Sequence, residues 1–274
     1  MNPHVVLTIA GTDSGGGAGI AADLATFAAL GAHGAAVVTA VTAQDTTGVH
    51  ATHRVPLETV ADQLDAVLDD LPVEAVKTGM LASAEVVRHV ADRVARLRVD
   101  ANPPVGGRVA LVVDPVLVAT TGDVLGGPDV ATAYVEHLFP VASVITPNRA
   151  EARALLGIDG GPQELAAKLT GLGTAVVLTG GGSSGTCTDW VAIAGTHPVP
   201  LTHPAVSTRN DHGTGCTFSS ALAVYLARGV PLAPAARRAA AYTTHQLRAA
   251  RLWTLGRGRG PIAHTHIHPG SEEK

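Results

Sequence analysis

Short apolar runs rich in valine recur along this chain, and polar, periodic segments separate them. The runs lie at residues 4–11, 35–44, 73–80, 108–116, 143–148 and 174–181. Unbroken runs of this length and composition are typical of strands that are buried on both faces. Because such strands occur in parallel sheets covered by helices, this feature restricts the chain to α/β architectures.

Helical periodicity fills the intervals between these runs. Apolar residues share one helix face at Val60, Leu64, Val67, Leu68 and Leu71, at Val86, Val87, Val90, Val94 and Leu97, and at Leu165, Leu169 and Leu172. The alternation of strand and helix predicts right-handed crossovers. We therefore predict an α/β, single-domain, three-layer sandwich in which helices cover both faces of a mainly parallel central sheet.

The length of 274 residues and the 46% hydrophobic content allow one full core. We find no linker, low-complexity tract or fixed-period repeat that would divide the chain, although the segment around Pro103 reads as a loop between elements. The sequence predicts one domain over residues 1–274, in which residues 260–274 form a C-terminal tail.

Charge and composition exclude several classes of function. The formal net charge is −4, and the 19 basic and 23 acidic residues are interspersed, so we expect no nucleic-acid partner. There is no signal-peptide pattern and no apolar run approaching ~20 residues, which predicts a cytoplasmic protein without a membrane partner.

The cysteines and the tail histidines have simple interpretations. Two cysteines, Cys187 and Cys216, are too few for a disulfide framework, so we expect free thiols. His264, His266 and His268 alternate near the end of the chain, but no carboxylate or cysteine lies close to them in sequence. We expect no metal role for this tail.

Polar residues gather where the predicted strands end. They are Thr12, Asp13, Gln44, Lys77, Asp114, Asn148 and Thr179. In an open parallel sheet the carboxyl ends of the strands face one crevice, where ligands bind. The pattern therefore predicts a site at this edge of the sheet.

The first glycine-rich stretch, "GTDSGGGAGIAADLATF", does not match either common nucleotide fingerprint. Ile20 occupies the third glycine position of a dinucleotide-binding motif, and none of the chain's lysines follows a glycine as a P-loop requires. Two interpretations remain open: close backbone approach to a flat ligand beside a helix N-terminus near Ala18, or a tight turn between strand and helix.

The second glycine-rich stretch, "HGTGCTFSSALAVYLARG", predicts an anion site. Gly213 and Gly215 permit a sharp turn, and the N–H groups from Thr214 to Thr217 are expected to point outward at a helix N-terminus. The same helix end is expected to lower the pKa of Cys216 and to make its thiolate a base. The alternative is a small cysteine that packs the start of the helix.

Oxygen-bearing side chains predict a magnesium site. Asp114, Asn148 and Glu151 offer the ligands that Mg²⁺ prefers, while Asn148 and Glu151 would equally suit the start of a helix. Asp23 and Gln44 could pair with the edge of a polar heteroaromatic ring, and Met80 could pack on its face or simply fill the core.

Ordered motifs extend over nearly the whole chain. They are "LTIAGTDSGGGAGIAADLATFAALG", "VTAVTAQDTTGV", "KTGMLAS", "VVDPVLVATTGD", "ITPNRAEA", "DHGTGCTFSSALA" and "LGRGRGPIAH". In this order the chain resembles the bacterial hydroxymethylpyrimidine/phosphomethylpyrimidine kinases. The resemblance implies a ribokinase-like fold, ATP and Mg²⁺ as cofactors, a small pyrimidine substrate, a place in thiamine biosynthesis and a homodimer.

The resemblance also implies roles for individual residues. Gln44 matches the glutamine that recognises the pyrimidine, and Gly11, Asp23, Met80 and Val116 match positions that line its pocket. Cys216 matches the catalytic cysteine of an anion hole formed with Gly213, Thr214 and Gly215. The nucleotide would contact Asn148, Glu151, Thr179 and Gly181, and Mg²⁺ would lie near Asp114 and Glu151, in part through water.

Some positions depart from the family pattern. Thr179 replaces a lysine that would contact phosphates, and "TGGGSS" lacks the histidine that usually follows, so the phosphate site has one cation fewer. Ala21 and Ala25 stand where glutamine and lysine are common, and Asp45 stands where asparagine is usual.

Other functions remain open at this stage. A pyridoxine or pyridoxal kinase of the same superfamily would act on a similar flat ring that carries a hydroxymethyl group. Cys216 with His212 could instead serve a thiol hydrolase. A pyrimidine-binding protein without catalysis is suggested by the missing lysine at position 179. The segment from Thr179 to Thr186 is a candidate mobile loop.

Overall fold

The computed structural model describes residues 2–100, 109–117, 126–181 and 185–265. The predicted loop around Pro103 lies outside the described residues, as do His266, His268 and residues 182–184 of the predicted mobile loop.

Within these described ranges, ten strands form two sheets. They are β1 (Val5–Ala10), β2 (His33–Val38), β3 (Ala40–Asp45), β4 (Gly48–Arg54), β5 (Val73–Thr78), β6 (Ala110–Val113), β7 (Val144–Ile145), β8 (Ala175–Leu178), β9 (Thr186–Ala192) and β10 (Val199–Pro204). Eight of them form the main sheet in the order β10-β9-β8-β7-β6-β5-β1-β2. All neighbours from β2 to β8 pair in parallel, whereas β8, β9 and β10 pair antiparallel, which confirms the mainly parallel sheet.

Helices connect these strands. They are α1 (Gly19–Ala29), α2 (Leu57–Leu68), α3 (Ala84–Asp100), α4 (Pro128–Ala133), α5 (Arg149–Leu156), α6 (Pro162–Leu169), α7 (Thr214–Ala227) and α8 (Leu232–Ala249). The periodic leucines and valines lie in α2, α3 and α6, except that Leu71 follows α2 and Leu172 lies in a 3-10 turn after α6. No helix in the described ranges is long and apolar enough to cross a bilayer.

Alternate side chains of the sheet enter two separate cores. One core joins residues such as Ile9, Val76 and Leu111 to helices α2 to α6. The other joins residues such as Val6 and Val112 to α1, α7 and α8. The predicted three-layer sandwich is therefore confirmed, and both of its interfaces are apolar.

The strand order places a crevice between β1 and β5. The chain moves outward from β1 to β2 in one direction and from β5 through β8 in the other, so the order reverses between β1 and β5. The connecting segments diverge at this point and leave a gap at the carboxyl ends of the strands. Asp13 follows β1 and Gly79 follows β5, so both lie at this gap.

The predicted strand at residues 35–44 is wrong as a single element. Thr39 interrupts it, because its N–H donates to Ala10 O at 3.0 Å and its Oγ1 donates to Met80 O at 2.6 Å. These bonds fix the chain at the end of β1 and direct β3 out of the main sheet. There β3 pairs antiparallel with β4, a strand that the sequence analysis did not identify.

Candidate active site

A cavity of about 610 Å³ opens at the carboxyl ends of the parallel strands. It collects residues from distant parts of the sequence, as expected for an open α/β sheet. The predicted site residues that line it are Gly11, Gln44, Met80, Asp114, Val116, Asn148, Glu151, Thr179, Gly181, Gly213, Thr214, Gly215 and Cys216.

Asp23 does not contact the cavity, so its predicted pairing with a ligand ring is wrong. Its side chain is fully buried on α1, and both of its oxygens lie 2.8–2.9 Å from Nζ of Lys77. Thr8 and Ser220 also donate to this carboxylate, at 2.6 and 2.7 Å. Asp23 therefore holds a lysine under the site.

Lys77 is a fully buried cation on β5, next to the cavity floor. Burial lowers the pKa of an amine, but the charges of Asp23 and Asp114 act in the opposite direction and raise the pKa of Lys77 above its ordinary value. The lysine therefore stays charged and places a fixed positive charge beneath Cys216.

Asp13 organises the first glycine-rich turn. Its carboxylate accepts hydrogen bonds from the N–H groups of Gly15, Gly17 and Ala18, and Nε2 of His212 lies 2.8 Å from its Oδ2. Burial by itself would raise the pKa of Asp13, but these hydrogen bonds outweigh it and hold the pKa below its ordinary value. The carboxylate thus ties this turn to the turn before α7.

The two glycine-rich turns pack directly on each other. Gly213 has a φ of +87°, and a Cβ at this position would lie 1.8 Å from the carbonyl oxygen of Gly17. Only glycine permits both this backbone conformation and this approach. The sequence left open whether the first glycine-rich stretch lets the backbone approach a ligand or forms a tight turn. In the structure, Gly17 and Gly213 make a close backbone contact that shapes one wall of the cavity.

Fewer backbone N–H groups face outward at the start of α7 than the sequence predicted. The N–H of Thr214 donates to Asp211 O at 3.2 Å, and the N–H of Thr217 donates to Gly213 O at 2.9 Å, so neither points outward. The N–H groups of Gly215 and Cys216 remain without a backbone acceptor in the described part of the chain. They are the amides that a helix N-terminus can offer to an anion here.

The predicted thiolate at Cys216 is wrong. Burial raises the pKa of the thiol to about 12; Lys77 lowers it, but the carboxylates of Asp23 and Asp114 raise it further. Desolvation therefore outweighs the helix end, and Cys216 is a neutral thiol at pH 7. The sequence interpretation considered the helix end and not the two buried acids beside it.

Asp114 and Glu151 form a pair of buried acids on the cavity wall. Burial raises the pKa of Asp114 to about 6, although Lys77 and a hydrogen bond from Ser219 lower it. Burial and the charge of Asp114 raise the pKa of Glu151 to about 8. Two acids that disfavour each other's charge suit a divalent cation, which would neutralise both.

Asn148 caps the start of α5, which is one of the two roles that the sequence left open for it. Its side-chain oxygen accepts from the N–H groups of Ala150 and Glu151, while a Glu151 oxygen accepts from the N–H of Asn148. This reciprocal cap starts α5. It also fixes Glu151 in the cavity wall, so the role in the helix cap is compatible with the predicted contact with a nucleotide and Mg²⁺.

One end of the cavity suits a flat ring. Gly11 leaves space for the methyl end of Met80, since a Cβ there would lie 2.3 Å from Met80 Cε. Gln44 lies on β3, which Ser14 ties to the first glycine-rich turn by two hydrogen bonds of 2.7 and 2.8 Å. Val116 packs against the small apolar cluster of Ala40, Met80 and Ala82. These residues combine apolar faces with one amide.

Several residues at the other end of the cavity were not predicted from the sequence. Cys187, Asp189 and His203 come from the β9–β10 hairpin, and Thr243 and Thr244 come from α8. No strands were predicted where β9 and β10 lie, so nothing in the sequence placed these side chains together. Hydrogen bonds to Asp189 and Cys187 raise the pKa of His203 to about 10.

The segment after α8 returns to the site and completes it. Backbone N–H groups of Arg257 and Gly258 donate to Thr46 Oγ1, and the N–H of Arg259 donates to Thr46 O. His212 pairs with Pro261 in an isolated bridge. Of the tail histidines, His264 lies against Thr217 Oγ1 at 3.1 Å, and burial lowers its pKa to about 4.

This sheet, with its crevice beside β1 and its glycine turn before α7, defines a kinase of the ribokinase-like superfamily. The phosphomethylpyrimidine kinase of Clostridium difficile shares the architecture with a TM-score of 0.73 and 34% identity, covering 88% of this chain and 98% of that one. An ADP complex of Bacillus subtilis pyridoxal kinase matches with a TM-score of 0.81 and 33% identity over 96% of this chain and 98% of that chain.

Sequence comparison narrows the class to one family. The phosphomethylpyrimidine kinase family model matches residues 13–263, and the chain belongs to this family. A hydroxymethylpyrimidine/phosphomethylpyrimidine kinase of Rhizobium meliloti is 46% identical over 268 residues, which cover 96% of this chain and 97% of the relative. The resemblance read from the motifs is confirmed.

Proposed function

We propose that this chain is an ATP-dependent kinase of thiamine biosynthesis or salvage. It phosphorylates 4-amino-5-hydroxymethyl-2-methylpyrimidine to the monophosphate, and then phosphorylates the monophosphate to the diphosphate. One observation carries the proposal beyond family membership: residues that match the family's pyrimidine, phosphate and metal positions are spread from Gly11 to Cys216, and all but Asp23 line one cavity.

The pyrimidine binds between Gln44 and Met80. The Gln44 amide can donate to and accept from the ring edge, while Met80 and Val116 cover its face. The hydroxymethyl group then points toward the start of α7. Asp23 takes no part in recognition, because its oxygens are already occupied by Lys77, Thr8 and Ser220.

ATP binds with its phosphates toward Thr179, Gly181 and the start of α7. The N–H groups of Gly215 and Cys216 hold the transferring phosphoryl group, and Lys77 adds a buried positive charge below it. Asp114 and Glu151 hold Mg²⁺, directly or through water, and their paired burial supports this fit. When bound, Mg²⁺ offsets the charge on the phosphate oxygens.

Cys216 positions the acceptor hydroxyl, whose proton passes to an oxygen of the transferred phosphoryl group late in the reaction. A neutral thiol is a poor base, but the loose transition state of phosphoryl transfer needs little activation of the nucleophile. Positioning by the Cys216 side chain and by the two amides then supplies most of the catalysis. Thr179 in place of lysine leaves the phosphates one cation short, so we expect the more highly charged second substrate to react more slowly.

The protein is cytoplasmic and forms a homodimer in this proposal. The two-stranded sheet of β3 and β4 stands apart from the main sheet and exposes about half of Val41, so it is the surface we expect at the dimer interface. Light scattering after size-exclusion chromatography would measure the mass, and a monomer at micromolar concentration would refute the dimer.

Product analysis by mass spectrometry tests the function. The protein is incubated with MgATP and hydroxymethylpyrimidine, with pyridoxal in a parallel reaction. We expect a monophosphate that converts to a diphosphate. Monophosphate alone would limit the enzyme to the first step. Pyridoxal phosphate without a pyrimidine product would favour the pyridoxal kinase function, which the Bacillus subtilis structural neighbour makes the second candidate.

The role of Cys216 is tested by Cys216→Ala and Cys216→Ser. We expect kcat to fall at least about 100-fold in the alanine variant, as for misplacement of a reacting group. The dissociation constant for ATP should change less than about threefold, because the backbone amides remain. An alanine variant with wild-type kcat would refute the catalytic role without affecting the assignment of substrate.

A further inference from the structure

The β9–β10 hairpin carries a cluster of metal-ligating side chains outside the predicted magnesium site. Cys187 and Asp189 are two residues apart on β9 and so project from the same face of the strand. His203 of β10 pairs directly with Cys187 in the antiparallel register. Direct and diagonal cross-strand neighbours on one face can touch, and the hairpin brings three different ligand types together.

The distances in the cluster suit a small tetrahedral site. One ligand atom from each residue lies within 4.8 Å of the other two, and His203 Nε2 is 3.1 Å from Asp189 Oδ2. Metal bonds of about 2.0–2.3 Å in a tetrahedral zinc site place the ligand atoms roughly 3.3–3.7 Å apart. Small side-chain rotations would therefore bring Cys187, Asp189 and His203 into ligand geometry.

Asp189 and His203 each make a second hydrogen bond to a neighbouring group, as the ligands in protein metal sites commonly do. Oδ1 of Asp189 accepts from the N–H of Gly180 at 2.7 Å, which leaves Oδ2 for a metal. Nδ1 of His203 lies 3.2 Å from Thr244 Oγ1, which orients the ring and leaves Nε2 toward Asp189. Such second contacts fix the ligand orientation in metal sites.

The charge and the chemical softness of the ligands indicate which ion would bind. On binding a metal the Cys187 thiol and the His203 imidazolium would each release a proton, and the resulting thiolate, carboxylate and neutral imidazole carry two negative charges that balance a divalent cation. Sulfur and nitrogen ligands favour zinc-class ions over Mg²⁺ or Ca²⁺. Cys187 and Asp189 are buried, and the His203 side chain is 22% exposed, so access comes from the cavity side.

We propose that Cys187 Sγ, Asp189 Oδ2 and His203 Nε2 bind a divalent transition-metal ion of the zinc class, with its fourth position facing the cavity. This site lies on different elements from Asp114 and Glu151, and it does not depend on the proposed substrate. All three ligands line the same cavity as the phosphate-site residues Thr179 and Gly181.

Cobalt titration of the full chain tests the proposal. The metal-free protein used for the titration carries His266→Ala and His268→Ala, so that these two histidines cannot bind the probe. We expect one equivalent of Co²⁺ to give tetrahedral visible bands and a sulfur-to-cobalt charge-transfer band in the near ultraviolet. One equivalent of Zn²⁺ should displace the cobalt.

Variants assign the ligands. Cys187→Ser should remove the charge-transfer band, and both Cys187→Ser and His203→Ala should weaken zinc binding at least about 100-fold. Asp189→Asn serves as a further ligand variant if His203→Ala does not fold. The matched controls are His197→Ala, an exposed histidine between the same two strands, and Cys216→Ser, the other thiol on the cavity; both should bind like the parent.

Three results would overturn the proposal. The first is no cobalt binding at millimolar concentration. The second is a charge-transfer band that persists in Cys187→Ser and disappears in Cys216→Ser. The third is a change of less than tenfold in zinc affinity for the ligand variants. None of these results depends on kinase turnover, so the test is independent of the proposed function.

Discussion

Replacing Lys77 with methionine should strongly destabilise the protein, because it leaves Asp23 charged and unpaired in the core. Both side chains are fully buried, and Nζ lies 2.8 Å from Oδ2. At an effective dielectric constant of about 20, two unit charges at this distance attract by roughly 6 kcal/mol. Thr8 and Ser220 still donate to Asp23 and compensate part of this loss, so we expect a net cost of about 3–5 kcal/mol.

Urea unfolding at pH 7, followed by circular dichroism, would measure this cost. The double variant Lys77→Met with Asp23→Leu removes both charges and should recover at least about 2 kcal/mol relative to Lys77→Met alone. Arg93→Met is the matched control, because Arg93 pairs with the exposed carboxylates of Asp65 and Asp69, and it should cost less than about 1 kcal/mol. A loss below about 1 kcal/mol for Lys77→Met, or a double variant no more stable than the single, would refute the reasoning.

Two further predictions concern the turn before α7 and the returning tail. Gly213→Ala should lower the free energy of unfolding in urea by at least about 2 kcal/mol. Gly229 has a similar positive φ but no atom near its Cβ position, so Gly229→Ala should cost about 1 kcal/mol. Equal costs would rule out the clash with Gly17. Burial lowers the pKa of His264 to about 4, so the unfolded chain binds more protons between pH 6.5 and 4. The free energy of unfolding should therefore fall by at most about 3.4 kcal/mol as the pH drops through this window. His264→Asn should flatten that part of the stability profile, and an unchanged profile would show that His264 does not cause the loss.

The parallel part of the sheet was predictable because strands that are buried on both faces have unbroken apolar sequences. The valine-rich runs at β1, β5, β6 and β8 are continuous, and each ends at a polar residue that lies at the crevice. The β3–β4 pair was not predictable in the same way. β4 is mostly exposed and carries no burial pattern, and the bonds that turn the chain at Thr39, just before β3, join it to Ala10 and Met80.

The site was predictable in its location and less so in its electrostatics. The strand ends placed Asp114, Asn148 and Thr179 correctly, because geometry follows from topology. The pKa of Cys216 depends on its burial and on Asp23 and Asp114, which are remote in sequence and close in space. A local sequence motif gives no information about such neighbours. The same holds for Asp23, since only the packed structure shows that α1 presents it to Lys77.

The contacts between Thr46 and the segment from Arg257 to Arg259 have a consequence for synthesis of the protein. They join positions about 212 residues apart, and the bridge from His212 to Pro261 closes beside them. A chain emerging from the ribosome can form β1 to β8 with their helices well before this segment is available. The cavity wall at β3 therefore stays incomplete until translation passes Pro261, so an unfinished chain has the core of the enzyme without a finished pocket.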